Sequence, residues 1–347
     1  MRIIASSASY VDPKARVNQT TYMFSRRRFF QVGSSWVLSP LIGYAACEDG
    51  LSQFRSGSTA EEVTSGINLS GKTALVTGVN SGIGYETMRV LALRGAHVIG
   101  TARTQEKGRV ACDSVEGMTT PLVLELSDFG SVVECADSVS KMGMPIDMLI
   151  CNAGAIFSEL RQINGIEAHF VVNYLGHFIL VNRLLERVIS APQGRIVIVG
   201  SRAHQSAPSD GIQFNDLSGT TWFNRQTAYG HSKLANGLHS LELSRRLKDT
   251  RATCNVIHPG VVQTNIARDL PHWQQLAFRL YGYLFLKDLE EGAATTSYVA
   301  THENLIDVNG CYFADSNPIT SDENMQDEQM ASRLWDVSEN LTSDYLA

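Results

Sequence analysis

A chain of 347 residues, 44% hydrophobic and 18% charged, carries enough apolar material for one core of about 250 residues with extensions. Its net charge of −6 and pI near 5.9 leave no basic footprint, which excludes nucleic acid as the expected partner. Six cysteines (Cys47, Cys112, Cys135, Cys151, Cys254, Cys311) show neither CxxC nor metal-ligand spacing. Reduced, buried thiols are expected, with no metal site and no disulfide framework.

Residues 1–66 differ in texture from the rest. Ser25-Arg26-Arg27-Arg28-Phe29-Phe30 resembles a twin-arginine export signal and precedes a moderately apolar stretch ending on the small residues Ala45-Ala46. Gln31, Ser34, Ser35, Ser39 and Pro40 interrupt that stretch, which argues against a spanning helix. This reading places the protein outside the cytosol or in an organelle lumen. The alternatives are a basic, apolar arm on a membrane surface and a cytoplasmic protein with a disordered leader. Residues ahead of Arg26 read either as a plastid-type transit segment or as sequence upstream of a start at Met23. The polar, Gly/Ser-rich run EDGLSQFRSGSTAEEVTSG reads as a linker. The expected division is 1–66 as targeting segment and linker, and 67–347 as one folded domain.

From Asn68 the chain alternates compact β-branched runs with helix-length periodic segments. TALVTG (73–78), HVIGTAR (97–103), PLVLEL (121–126), IDMLICNAG (146–154), RIVIVGS (195–201) and ATCNVIHPG (252–260) read as strands. Apolar strands separated by such crossovers predict an α/β fold with a doubly wound parallel sheet. The first strand meets the first helix through TGVNSGIG. Glycines at 78, 82 and 84 allow a sharp turn and close backbone approach, while the helix N-terminus offers N–H groups to a pyrophosphate. Dinucleotide binding is the expected role.

In AYGHSK, Tyr229 and Lys233 stand four apart, so one helix face carries both. A free phenol, with a pKa near ~10, is poorly matched to neutral pH, and a neighbouring lysine cation is expected to lower it. With TGxxxGxG, Asn152-Ala153-Gly154 at a strand end, Asn173 on the next helix, Ser201 after RIVIVG, and PGVVQT from Pro259 to Thr264, the chain resembles the short-chain dehydrogenase/reductase family over about residues 70–340. VNYLGHFILVNRLL, GSRAH and ASRLWDVSENL resemble the retinol dehydrogenase group and its relatives, the WW-domain oxidoreductases and plastid Tic32-like proteins.

The resemblance implies Tyr229 as proton donor and acceptor, Lys233 as its partner and ribose ligand, Ser201 on the substrate oxygen, and Asn173 anchoring a water that relays protons to Lys233. It implies cofactor contacts from Gly78, Asn80, Ser81, Gly82, Ile83 and Gly84. Others fall to Arg103, Glu125, Leu126, Asn152, Ala153, Gly154, Tyr229, Lys233, Pro259, Gly260, Val262 and Thr264. Cys151, Gly200 and Glu125 depart from residues usual in relatives, and Glu125 weakens the adenine contact. Ala102-Arg103 lacks the acidic residue that would bind a ribose 2′-hydroxyl, so Arg103 points to the 2′-phosphate of NADP, preferred over NAD.

After Thr264, a segment expected to form a C-terminal helical substrate lid carries Trp273, Leu276, Ala277, Leu280, Tyr281 and Leu284 at helical steps, with Phe278, Tyr283, Phe285 and Leu286 on the other side. Its second apolar face fits a lipophilic substrate, a membrane surface or a second subunit; plain core packing is the simpler use. The expected function is NAD(P)-dependent interconversion of a lipophilic alcohol and its aldehyde or ketone, as in retinol dehydrogenases. The rival is a nucleotide-binding redox sensor or scaffold with little turnover. A sugar-nucleotide epimerase is disfavoured by the glycine spacing.

Overall fold

The computed structural model describes residues 52–262 and 287–346. The chain divides into two units, Met1–Leu41 and Ile42–Ala347, and the second holds all of the described residues. Its strands are β1 (Thr73–Thr77), β2 (His97–Ala102), β3 (Thr119–Val123), β4 (Met148–Cys151), a small hairpin β5 (Gln162–Ile163) and β6 (Ile166–Glu167), then β7 (Arg195–Val199), β8 (Thr253–His258), β9 (Tyr312–Ala314) and β10 (Asn317–Ile319). Eight of them form one sheet in the order β10-β9-β8-β7-β4-β1-β2-β3, parallel except for the β9/β10 pair.

β1, β7 and β8 are buried along their whole length, as a sheet covered on both faces requires. Alternate residues feed two cores. Leu75, Leu149, Ile196 and Ile198 join Phe170, Tyr174, Phe178 and Trp335 in one, while Val76, Ile150, Val197 and Val199 join Met88, Tyr298 and Phe313 in the other. The helices between strands are α2 (Gly82–Leu93), α3 (Gln105–Asp113), α4 (Phe129–Lys141), and a continuous run made of α5 (Ala168–Phe170), a π-helical segment (Val171–Leu175) and α6 (Gly176–Ile189). After β7 comes α7 (Arg225–Arg246). Asp128 and Asn224 accept backbone N–H groups at the starts of α4 and α7, closing donors a helix leaves open there. Because β1 lies between β2 and β4, the chain winds outward in both directions from it. The ends of β1 and β4 therefore flank the crevice where such sheets bind ligands.

Three findings correct or extend the sequence reading. β3 spans Thr119–Val123 rather than 121–126. It is the edge strand, where Pro121 can sit without a ladder donor. β9 and β10 add a hairpin whose two turn residues, Asp315 (φ 52°) and Ser316 (φ 59°), are both left-handed without being glycine, the conformation a type I′ turn demands. Cys311 is disulfide-bonded, against the expectation of reduced thiols, while Cys112, Cys135, Cys151 and Cys254 are free and buried.

The expected linker is also part of the fold from Ser52 onward. A short helix, α1 (Ala60–Val63), starts with a Thr59/Glu62 capping box and buries Ala60, Val63 and Thr64. Glu61 pairs with Arg89 of α2 at 2.7 Å, and Arg94 donates to Thr64 Oγ1 at 3.0 Å. Phe54 packs edge-on against Tyr298, and its carbonyl accepts from Asn317. A polar composition concealed these contacts because only a few residues turn inward. The twin-arginine-like segment and residues 273–286 lie outside the described residues. No helix among the described residues is long and apolar enough to cross a membrane.

Deletion through residue 66 should lower Tm by about 6 °C or more in a calorimetric scan. Val63 alone is worth ~1.5–3 kcal/mol when buried, and a domain of this size loses about 2–4 °C per kcal/mol.

Candidate active site

At the end of β1 the chain turns away sharply. Gly78 (φ 76°) and Val79 both donate their N–H to Thr101 O at 2.9 Å, and Gly82 (φ 66°) opens α2. A side chain at Gly84 would collide with the Asn152 amide and would lie 2.5 Å from Gly78 O. That amide is needed where it is, because Asn152 Nδ2 donates to Thr77 O at 2.8 Å. A Cβ on Gly78 would meet Ala153 Cβ at 2.9 Å, so Asn152 and Ala153 form the floor beneath the turn. Ser81 is the first flanking residue of α2 and makes no side-chain cap. The helix therefore presents its backbone donors toward the crevice, and Asn80 and Ser81 are exposed beside it while Ile83 is half-buried.

Arg103 follows β2, is exposed, and has no hydrogen-bond or ionic partner among the described residues. Glu125 Oε1 accepts from Ser127 N at 3.1 Å and Ser127 Oγ at 2.7 Å. Leu126 is buried, its carbonyl set against Gly176, where a Cβ would approach to 2.6 Å. On the far side of the crevice, Pro259 and Gly260 are half-buried and Val262 is buried. A Cβ at Gly260 (φ 93°) would meet Lys287 Cδ at 2.6 Å. Lys287 returns the chain by donating its N–H to Val261 O and its ammonium to Asp315 at 2.7 Å. Thr264 lies outside the described residues.

Four expected groups come together beside this crevice. Lys233 on α7 is buried, and its Nζ donates to Val199 O at 2.8 Å, at the end of β7. Two residues beyond Val199, Ser201 is extended and caps a 3₁₀ turn, Arg202–Ser206, by accepting Ala203 N–H at 3.1 Å. The turn packs on α7 at Gly230, where a Cβ would lie 2.5 Å from Ala203 O and 2.8 Å from Ala207 N. Close approach there sets the Ser201 side chain beside Tyr229, near enough to draw the phenol's pKa down. Asn173, fully buried in the π-helical segment, completes the group. Its Oδ1 accepts Ala155 N–H at 2.7 Å, while Nδ2 donates to Ala155 O and Ser232 Oγ, each at 3.0 Å. Gly154 lies between Asn173 and Lys233, where a Cβ would stand 3.2 Å from Asn173 Oδ1 and 3.9 Å from Lys233 Nζ.

The electrostatics correct one expectation. Lys233 does not lower the Tyr229 pKa. Burial pushes the phenol up to about 12, with the neighbouring Ser201 hydroxyl pulling the other way. Burial likewise lowers the Lys233 ammonium to about 8. Four-residue spacing brings Nζ to 5.7 Å from the phenol ring centroid, but the ammonium is directed at a carbonyl oxygen. Each group, stripped of water, shifts toward its neutral form. Both amide hydrogens of Asn173 are committed, to the loop after β4 and to α7.

Sequence reasoning missed two residues of this arrangement. Ser232 donates to Tyr229 O at 2.7 Å while accepting from Asn173, and it sits within the YGHSK run, three residues from the tyrosine. Gly230, next to the tyrosine on a helix otherwise built for length, is the only signal that a second backbone comes close.

The family profile described as short chain dehydrogenase matches residues 72–275. Short-chain dehydrogenase TIC 32 A, chloroplastic, of Brassica napus is 37% identical over 314 residues, covering 87% of this chain and 98% of that protein. Retinol dehydrogenase 11 of Homo sapiens is 36% identical over 313 residues, covering 88% and 95%. Among solved structures, an uncharacterised protein from Mycobacterium paratuberculosis is 32% identical with a TM-score of 0.67, covering 83% and 98%.

Gly230→Ala must push the 3₁₀ turn, and Ser201 with it, away from α7. Turnover should fall by about tenfold to a hundredfold, the scale of a misplaced reacting group. Gly237→Ala on the same helix meets only the flexible Met325 side chain and should retain most activity. Steady-state kinetics on the pair, with Tm alongside, check this.

Proposed function

The chain belongs to the short-chain dehydrogenase family, and on that premise we propose that this oxidoreductase transfers hydride between a nicotinamide dinucleotide and a lipophilic alcohol or its carbonyl partner. The observation that carries the reading is the meeting of Ser201, Tyr229, Lys233 and Asn173 beside the glycine-rich turn. The nicotinamide, when bound, supplies or accepts the hydride. In reduction, Tyr229 gives its hydroxyl proton to the carbonyl oxygen as negative charge develops there, and Ser201 donates a second hydrogen bond to the same oxygen. In oxidation Tyr229 takes the alcohol proton. Lys233 holds the cofactor ribose and, through Val199, fixes the start of the turn that carries Ser201. Asn173 keeps the Asn152–Ala155 floor against α7.

The residues suit a dinucleotide. The backbone donors at the start of α2 face the pyrophosphate position. Arg103, exposed and without an ionic partner among the described residues, supports NADP over NAD, because only NADP presents a 2′-phosphate to a guanidinium. A nucleotide sensor without turnover would keep that turn but would have no use for Ser201 set beside Tyr229.

A lipophilic substrate is supported by the aromatic surroundings of Tyr229. His169 packs edge-on to Tyr229 at 6.1 Å, Phe157 edge-on to His169 at 5.1 Å, and Phe223 stacks beside them. The apolar run from Trp273 to Leu286 supports the same reading; a membrane surface or a second copy of the chain would be its competing uses. The twin-arginine-like segment supports residence outside the cytosol.

At a pKa of about 12, the phenol is protonated at neutral pH and ready to donate. Reduction of a medium-chain aldehyde should therefore be flat from pH 6 to 7.5. Oxidation of the matching alcohol should climb by about tenfold per pH unit between pH 7 and 9, as the basic form grows. Tyr229→Phe should abolish both while sparing nucleotide affinity; near-normal kcat in that variant would sink the mechanism.

Arg103→Ala should weaken NADPH by at least about tenfold and leave NADH within twofold, as expected for losing a charge-assisted contact made to one cofactor only. Fluorescence titration of both nucleotides decides it, and equal losses would remove Arg103 from the site.

A further inference from the structure

His169, Asn173 and His177 follow one another at four-residue steps along the helical run from Ala168 to Ile189, and all three are buried. Each spends its polar atoms on a different wall of the crevice. His169 Nε2 accepts the N–H of Phe157 at 2.8 Å. An amide can only donate, so Nε2 is the bare nitrogen and Nδ1 carries the hydrogen. That hydrogen goes to Glu167 Oε1 at 2.7 Å, and the other carboxylate oxygen accepts Phe170 N–H. A fully buried carboxylate thus fixes the ring that holds the loop after β4.

His177 is fixed by the converse logic. Its Nδ1 faces Asn173 O at 3.3 Å, and a carbonyl can only accept, so Nδ1 carries the hydrogen. Burial keeps the ring neutral, its pKa lowered to about 4, which leaves Nε2 bare. Thr77 Oγ1 lies 3.0 Å from Nε2 and 3.4 Å from Ile150 O, so its hydroxyl hydrogen points to the imidazole. The same oxygen accepts the N–H groups of Asn152 and Ala153, each at 2.9 Å. One donor and two acceptor sites fill the hydroxyl's capacity. Thr77 therefore holds the two peptides that floor the glycine-rich turn, sharing the Asn152 N–H with Ile150 O at 3.1 Å, and His177 sets Thr77.

We propose that His169 and His177 are positioning residues with divided duties, His169 holding the Phe157 loop on the substrate side and His177 holding the Thr77/Asn152/Ala153 floor on the nucleotide side. The kinetic half of the proposal rests on the hydride-transfer reading; the structural half does not.

The test compares His169→Phe and His177→Phe in the full chain, by amide hydrogen exchange, nucleotide titration and steady-state kinetics. In His169→Phe, exchange at the Phe157 amide should rise about tenfold and the KM for an aldehyde by a similar factor, with the NADPH Kd within twofold. In His177→Phe, exchange at Asn152 and Ala153 should rise and the NADPH Kd should increase about tenfold, with Phe157 unchanged; one lost net hydrogen bond sets that scale. His169→Gln, which keeps an acceptor for Phe157, should restore much of the protection there. Should His169→Phe fail to fold because it strands the Glu167 carboxylate, Glu167→Gln/His169→Phe makes the comparison without that charge. Exchange rising uniformly across the domain, or KM and Kd moving together in both variants, would overturn the proposal. A wild-type chain that neither binds nucleotide nor turns over would instead overturn the hydride-transfer reading, and the exchange contrast would still be measurable.

Discussion

A lysine ammonium taken out of water must find an acceptor, and Lys233 finds it in the carbonyl of Val199. That contact ties α7 to the last residue of β7. Asn236 Nδ2 leans on the same oxygen at 3.4 Å. Beyond Val199 the chain has little choice: a Cβ at Gly200 would meet Val256 Cγ2 at 2.8 Å, so the backbone can hug β8 only without a side chain there. Ser201 comes next and falls opposite Tyr229. Burying Lys233 is costly. A base whose folded pKa drops from 10.5 to about 8 binds its proton more weakly in the folded chain than in the unfolded one. The penalty is full below pH 8 and fades as pH rises toward 10.5.

Asn173 then divides the crevice between its neighbours. In the π-helical segment Gly176 donates to Val171 O, five residues back, a widened turn of a kind often found at functional sites. Widening alters the angular drift that four-residue steps would otherwise accumulate along an α-helix. His169 and His177 reach different loops while Asn173 stays aimed at Ala155 and Ser232. Three side chains on one helix thus connect β1, the loop after β4 and α7.

Much of this was legible because the chemistry is written locally. The glycines at 78, 82 and 84 and the Tyr229/Lys233 spacing each declare a backbone or helix-face requirement within a few residues, and six of the seven parallel strands declare themselves by compact apolar runs. What stayed hidden depends on distant partners. Gly230 gains its meaning only when the turn after Ser201 is laid on α7. His177 looks like one more residue on a helix until Thr77, one hundred positions earlier, is brought against it. Ser52 to Gly66 reads as a tether because Ala60 and Val63 are too few to make a periodic pattern, and the Asp315-Ser316 turn lacks the glycine that usually marks it.

The phenol and the lysine show how spacing can identify a pair and still misstate its electrostatics. Neighbouring positions on a helix guarantee proximity; they do not guarantee that two groups stabilise each other's charge when both are desolvated. Here burial sets the direction at both groups, with the ammonium turned to Val199 O and the phenol beside Ser201. A protonated phenol beside a hydroxyl donor is arranged to give a proton to an oxygen. To take one, the same phenol must first lose its hydrogen in an environment that resists the anion. On the proposed reading, the phenol as this chain holds it is better suited to giving a proton near neutral pH than to taking one.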